Sequence, residues 1–325
     1  MTSRFLVTAR IPDAGLDILR EAGDVTVLDA LPTPEELTQL LASGDYDAVL
    51  TQMADKVTEE TLADAKVKGI ANYAVGYNNI DVAAAGKRGI LVANTPGVLS
   101  DATADIAFLL LLAVARRLRE ADALVRAGEF KGTGPMFMLG HDVTGQTLGL
   151  AGFGRIARAM ARRALGFGMK VVFSPRPPQE REVPVEELGE FAGKVTQLPW
   201  EEVLRTSDYL SLHVPLTEDT RHLIDDDAFA AMKDTAILIN TARGPVVDEA
   251  ALVRALNDGV IAGAGLDVYE NEPELAEGLV DAPNTVLLPH IGSATTPVRD
   301  KMAVLAAEAC VDMARGEQPE HPVTA

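Results

Sequence analysis

The stretch Thr147-Leu-Gly-Leu-Ala-Gly-Phe-Gly-Arg-Ile-Ala157, near the middle of the 325-residue chain, constrains the fold more than any other. Its apolar lead-in, residues 148–151, reads as a buried strand, Gly152 and Gly154 as a tight turn, and residues 155–165 as a helix. Such a turn lets the backbone come close to a pyrophosphate and aims the free N–H groups of the helix, with its positive dipole end, at the anion. Gly152-x-Gly154-x-x-Ala157 fits the dinucleotide fingerprint in its G/A variant. Six residues alone describe a helix-starting turn equally well. The strand before them and the helix after them favour the nucleotide.

The flanking sequence repeats the same alternation. Before the turn, residues 5–8, 25–28, 48–51, 70–72 and 90–93 have the short apolar look of strands, and 13–21, 34–42, 59–65 and 82–88 that of helices between them. Apolar strands separated by helices imply a parallel sheet covered on both faces. Asn94-Thr-Pro-Gly97 interrupts the pattern, and Ser100-Asp101 offers a cap for one long helix over 102–119, apolar nearly all round and so buried on most sides. The loop 131–142 carries Met136-Phe137-Met138, suited either to a partner chain or to packing beneath the loop. After the turn, strands at 170–173, 209–212, 235–239, 262–267 and 286–288 make six with the first, joined by helices at 201–206, 226–232 and 249–257. The fold class is α/β, with two doubly wound parallel sheets whose ligands lie outside the strands' carboxyl ends. The last helix, 296–315, is expected to pack back on the first unit.

Composition excludes several classes of function. A net charge of −19, from 29 basic and 48 acidic residues, has the wrong sign for a nucleic-acid partner. The longest apolar run, 106–115, is about half of what a membrane span needs. One cysteine, Cys310, cannot form an intrachain disulfide, and no basic region followed by a long apolar one opens the chain, so a cytoplasmic protein is expected. No metal-binding set is expected.

Chemistry is expected at the strand ends. Thr241-Ala-Arg243 follows one strand, Tyr269-Glu-Asn-Glu272 comes soon after the next, and His290 follows the last. Histidine can shuttle a proton near neutral pH, a carboxylate can orient it, and arginine can grip a substrate carboxylate with two parallel hydrogen bonds. Each alone has a structural alternative as a strand-end cap, a surface acid or a satisfied core histidine. Their shared place behind a dinucleotide turn favours catalysis. The second strand of this unit ends in Phe173-Ser-Pro-Arg-Pro-Pro178, where an NAD site usually carries an acid. Arg176 there suits a 2′-phosphate, so NADP(H) is the expected cofactor, with NAD(H) possible.

These motifs, Gly152-Phe-Gly-Arg-Ile156, Asn240-Thr-Ala-Arg-Gly-Pro-Val-Val-Asp248, Gly265-Leu-Asp-Val-Tyr-Glu-Asn-Glu-Pro273 and Leu288-Pro-His-Ile-Gly-Ser293, resemble those of the D-isomer-specific 2-hydroxyacid dehydrogenases, nearest the glyoxylate/hydroxypyruvate reductase branch. The resemblance implies a Rossmann nucleotide domain, 99–291, inserted in a flavodoxin-like substrate domain formed by 1–98 and 292–325. It implies Arg243 as the group that binds and polarises a 2-oxo acid, His290 as proton donor, and Glu272 as the carboxylate that holds His290 and helps keep it charged. Val75 and Gly76 would take the substrate carboxylate through their N–H groups. Cofactor contacts would come from Thr103, Gly152, Phe153, Gly154, Arg155, Ile156, Ser174, Pro175, Arg176, Val214, Pro215, Thr220, Thr241, Ala242, Arg243, Asp267, His290 and Gly292. Domains would close over the substrate, and a homodimer joined through the nucleotide domain would use the apolar helix after Ser100 and Phe137. Ala157 departs from a third glycine, Pro175 stands at the family's acid position, and Asp248 reads as a helix cap. Alternatives within the same fold are a 3-phosphoglycerate or phosphite dehydrogenase, or a dinucleotide-sensing corepressor that is not an enzyme.

Overall fold

The structure, a computed structural model, describes residues 2–324. The chain divides into two compact units, Met1–Leu99 with Ser293–Ala325, and Ser100–Gly292. In the first, β1 (Ser3–Val7), α1 (Asp13–Ala22), β2 (Gly23–Val27), α2 (Pro34–Ser43), β3 (Ala48–Thr51), β4 (Gly69–Asn72), α3 (Val82–Lys87) and β5 (Leu91–Ala93) follow one another. The strands pair in parallel in the order β2-β1-β3-β4-β5. This is the flavodoxin-like order, with its switch point between β1 and β3. Helix α2 starts where it does because Thr33 and Glu36 form a reciprocal capping box. Leu37 and Leu41 on its inner face then meet Leu6, Val49 and Ile70 of the sheet. The helix expected over 59–65 does not form. Among its bonds, only Leu62 N–H reaches back four residues, to Thr58, while Ala63 and Ala65 reach back three, so the segment is a string of turns.

The second unit opens with α4 (Ser100–Ala115), followed by α5 (Leu118–Arg126). The single helix expected over 102–119 is therefore two. The Ala115 carbonyl accepts from His141 N–H instead of continuing the ladder, and Arg117 takes a left-handed φ of 53° with its guanidinium on Glu120. Ser100 and Asp101 lie inside the first turn of α4. The elements β6 (Thr147–Ala151), α6 (Arg155–Gly166), β7 (Lys170–Ser174), α7 (Val185–Leu188), β8 (Val195–Gln197), α8 (Trp200–Thr206), β9 (Tyr209–Leu212), α9 (Asp226–Ala231), β10 (Ile237–Asn240), α10 (Glu249–Asn257), β11 (Gly263–Leu266) and β12 (Thr285–Leu287) complete it. Its sheet has seven parallel strands in the order β12-β11-β10-β9-β6-β7-β8. The reading of six missed β8, a three-residue edge strand with one buried residue and too little apolar pattern to register. Helix α11 (Thr296–Arg315) belongs to the first unit, where small buried residues such as Ala303 and Ala307 let it lie close to α1 and β4. Its Cys310 is fully buried, and burial pushes the thiol up to about 12, which keeps it out of thiolate chemistry. Among the described residues, no helix is long and apolar enough to cross a membrane.

Candidate active site

The register of the seven-stranded sheet lines up the ends of six strands. Ser174, Ala151, Leu212, Asn240, Leu266 and Leu287 form one row of paired residues across β7, β6, β9, β10, β11 and β12. Because every strand is parallel, the residues that follow this row share one rim. Pro175 and Arg176 come after the first strand of the row, Gly152 after the second, His213 and Val214 after the third, Thr241 after the fourth, Asp267 after the fifth, and Leu288 to His290 after the last. Sequence spacing alone marked most of these. The row explains why they come together.

At the centre, Gly152 has a φ of 90° and a Cβ there would stand 2.8 Å from the His213 carbonyl oxygen, so both conformation and space require glycine. Gly154 is different. A Cβ added there would meet no atom within 4 Å among the described residues, so the protein itself does not explain the missing side chain. Behind it, α6 begins with no side-chain cap and no acid in its first turn, which leaves its first N–H groups without a side-chain partner and suited to an anion. Ala157 is fully buried against the sheet, a packing role that a small residue fills as glycine would. The Thr241 hydroxyl is buried with no hydrogen-bond partner among the described residues. An open glycine, an uncapped helix start and an orphaned hydroxyl on one rim fit a nicotinamide dinucleotide whose pyrophosphate lies across the turn. Arg176 is exposed and makes no ion pair with an acid among the described residues. The Phe153 ring is not available to a ligand, since it stacks on Phe173 at 4.0 Å inside the core; only its backbone faces the turn. Thr220 is likewise committed within its own loop, its Oγ1 accepting from Thr217 N–H and donating to the Pro215 carbonyl, where it shapes the Val214–Pro215 bend.

The acid, base and arginine converge at the β10–β12 side of the rim. His290 Nδ1 lies 2.8 Å from Glu272 Oε2, and Glu272 Oε1 accepts from Tyr269 N–H at 3.0 Å. Burial pushes the Glu272 carboxyl up, but the hydrogen bond from His290, the Tyr269 N–H and the charges of His290 and Arg243 outweigh it, and the net shift is downward. Glu272 is thus held as the carboxylate. Arg243 is half-buried, with Nη1 donating to the Ala242 carbonyl at 2.6 Å, and burial lowers its pKa while Glu272 opposes that shift. His290 itself sits at a left-handed φ of 54°, a conformation that costs a β-substituted residue on the order of 1 kcal/mol. Asp267 holds it there by collecting the next two N–H groups, Ile291 and Gly292, each at 2.7 Å. Thr103 Oγ1 donates to the Gly292 carbonyl from α4 and ties the same turn down. Burial raises the Asp267 pKa despite those donors.

Several residues that shape this rim were not singled out from the sequence. Asn240, buried at the end of β10, donates to the Arg243 carbonyl and accepts from Ala242 N–H, closing the turn that presents Arg243. Gly244 lets that turn touch the backbone of Tyr269 and Glu270, because a Cβ would collide with both. Glu249, buried at the start of α10, accepts from Glu270 N–H and Ala276 N–H and pins the loop that carries Glu272. His213 follows β9 as His290 follows β12; its Nε2 meets Ser211 Oγ at 2.9 Å, and burial pulls the imidazole down to about 3, so it stays neutral. A polar residue directly after an apolar strand was the signal available for His213 and Asn240. Asp248 caps α10 through Ala251 N–H, the role read from the sequence. Val75 and Gly76 lie in the first unit, in the loop after β4.

A doubly wound parallel sheet, a glycine turn at the strand crossing and a carboxylate–imidazole pair beside an arginine define a dinucleotide-dependent oxidoreductase. Residues 108–292 match the model of the D-isomer specific 2-hydroxyacid dehydrogenase NAD binding domain. A glyoxylate reductase from Thermococcus litoralis is 47% identical over 99% of this chain and 97% of its own. Among solved structures, a glyoxylate reductase from Paecilomyes thermophila superposes with a TM-score of 0.86 at 34% identity, covering 99% of this chain and 98% of that one. An NADPH-dependent glyoxylate/hydroxypyruvate reductase from Sinorhizobium meliloti, solved with NADP and malonate, gives 0.84 at 33% identity over 99% and 97%. The chain belongs to the D-isomer-specific 2-hydroxyacid dehydrogenase family.

Proposed function

We propose that this chain reduces short 2-oxo acids, glyoxylate and hydroxypyruvate foremost, to the D-2-hydroxy acids, with NADPH preferred over NADH. The observation that carries the reading is the 2.8 Å contact between His290 and Glu272 beside Arg243 at the ends of adjacent strands. The branch is supported by the 47% identity to a glyoxylate reductase. A reduced nicotinamide held at this rim would supply the hydride for the carbonyl carbon. Arg243 grips the 2-oxo acid and stabilises the charge that grows on its carbonyl oxygen. His290, held by Glu272 through Nδ1, presents its other nitrogen to that oxygen and gives up the proton. The backbone N–H groups of Val75 and Gly76 take the substrate carboxylate. Gly152, Gly154, Arg155 and Ile156 would hold the pyrophosphate through N–H groups and helix dipole, and Asp267 would orient the carboxamide.

Two observations support the cofactor preference: residues 175–179, directly after β7, include no acid, and Arg176 stands exposed without an acidic partner among the described residues. A homodimer through the second unit is supported by its surface, where Leu109, Phe130, Met136, Phe137 and Leu139 are exposed in or after α4 and α5. A cytoplasmic location accords with a single buried thiol. The direct test is a rate panel of NADPH and NADH against glyoxylate, hydroxypyruvate, pyruvate and 3-phosphohydroxypyruvate, followed at the reduced nicotinamide band. Preference for the first two acids with NADPH is expected. No consumption with any of the four would remove the assignment and favour a dinucleotide-sensing binding protein.

A further inference from the structure

We infer that Asn94 and Asn72 are positioning residues that build the substrate-carboxylate cradle of the first unit by fixing the peptide planes of residues 74–77. The inference rests on the reading of this protein as a 2-oxo acid reductase and goes beyond it in naming what orients the two N–H groups. In the loop after β4, three successive carbonyls each have their own donor. The Ala74 carbonyl accepts from Thr95 N–H at 2.9 Å, Val75 from Asn94 Nδ2 at 2.7 Å and Gly76 from Asn72 Nδ2 at 2.8 Å. In a trans peptide the carbonyl of one residue and the N–H of the next point in opposite directions. Tying back the Ala74 carbonyl therefore turns the Val75 N–H the other way, and tying back the Val75 carbonyl does the same for Gly76. Neither N–H donates to any group among the described residues. Two adjacent N–H groups directed to one side form a site for a carboxylate.

The amide of Asn72 cannot be turned round without loss. It is fully buried, its Nδ2 serves the Gly76 carbonyl and Asn79 Oδ1, and its Oδ1 accepts from Thr51 Oγ1 and Asn79 Nδ2. Asn79 in turn donates to the carbonyls of Gln52 and Asp55, which fastens the loop to the end of β3. The neighbouring crevice between β1 and β3, where this strand order ordinarily takes its ligand, is filled by the chain itself. Asp55 is buried there, with Oδ2 accepting from Thr8 Oγ1 and Gln52 N–H. The proposed cradle lies instead in the loop after β4. Asn94, half-buried at the end of β5, is the donor whose loss frees one peptide plane while the Asn72 hub stays intact.

The test uses the full chain and the variants Asn94→Ala and Asn94→Asp, with glyoxylate and its uncharged amide, glyoxylamide, as paired substrates. In Asn94→Ala the KM for glyoxylate rises about fivefold to tenfold, as the loss of one oriented donor predicts. Turnover falls by less than KM rises, and both the KM for the amide and the NADPH dissociation constant stay in place. In Asn94→Asp the rise is larger, because a carboxylate faces the Val75 carbonyl and cannot donate to it. A general loosening of the loop would move acid and amide together, and that result overturns the inference, as does an unchanged KM for glyoxylate in both variants. A wild-type chain that reduces no 2-oxo acid overturns it together with its parent reading, whereas wild-type turnover with unmoved variants overturns this inference alone.

Discussion

Gly244→Ala isolates the contact that brings the arginine and carboxylate loops together. Gly244 has ordinary backbone angles, so alanine suffers no conformational penalty there; the difficulty is spatial. Its Cβ would fall inside the Tyr269 carbonyl and against Glu270 N–H, and backbone has no flexible end that can swing away. To restore van der Waals contact the two loops must part by on the order of 1 Å or more. Tyr269 N–H holds Glu272 Oε1 at 3.0 Å, so the displaced loop carries the carboxylate with it, and the 2.8 Å contact to His290 stretches beyond hydrogen-bond range. A misplacement of that size costs about a hundredfold in rate, or about 2.7 kcal/mol of transition-state stabilisation. Overpacking of this kind costs roughly 1–3 kcal/mol in stability, which a domain with its own large core can survive. The assay pairs kcat/KM for glyoxylate with NADPH binding by fluorescence and a thermal melt. The expected outcome is a hundredfold loss of kcat/KM, a folded protein and cofactor binding within about threefold of wild type. A variant that keeps near-normal kcat/KM would refute the claim that this approach sets the catalytic geometry.

Other substitutions test the remaining parts. His290→Ala removes the proposed proton donor and is expected to cut kcat by about 10² to 10⁴, read in single-turnover experiments with saturating NADPH. Arg176→Ala is expected to lower the NADPH-to-NADH ratio of kcat/KM by about tenfold, through the KM of NADPH alone, and an unchanged ratio would remove Arg176 from cofactor selection. Glu272 titrates below its ordinary 4.5 in the folded state, so its charge contributes stability that is present above about pH 4.5 and lost as pH falls through the lower folded value. The urea midpoints of wild type and Glu272→Gln should therefore differ above that pH and converge below it. The difference is expected to be small, about 0.5–1 kcal/mol, because both side chains are more than a third exposed to screening water.

The outline of the fold was legible because parallel strands covered on both faces leave continuous apolar runs, and β3, β4, β9 and β10 are buried at every position. What escaped was set by contacts distant in sequence. The helix breaks at Arg117 because His141 takes the Ala115 carbonyl, and nothing in the apolar run announces that partner. The run 59–65 has helical composition, yet its last residues are drawn off by Lys66 N–H bonding to the Leu41 carbonyl. Edge strand β8 has one buried residue in three and therefore little pattern to read.

The site divides along the same line. Groups that carry charge or a special backbone, Arg243, Glu272, His290 and the two glycines of the turn, stand in motifs because their chemistry demands a residue type at a place. The groups that aim them do not stand out in that way. Asn240, Glu249 and Asp267 act by collecting backbone N–H groups and carbonyls from neighbouring loops, a task defined by what the loops bring within 3 Å or so; the motifs contain Asn240 and Asp267, but spacing does not reveal this positioning task, and it does not mark Glu249 at all. Glu249 and Asp267 are buried acids whose pKa values burial raises, so the chain bears a desolvation cost at both to keep two loops in place. Such a cost is tolerated where geometry matters more than stability, and both acids sit beside the loops that present Glu272 and His290. Replacing either by its amide would relieve that cost while returning an N–H donor to a cluster of N–H donors. Stability and catalysis should then move in opposite directions only where the carboxylate's sole task is to hold the site.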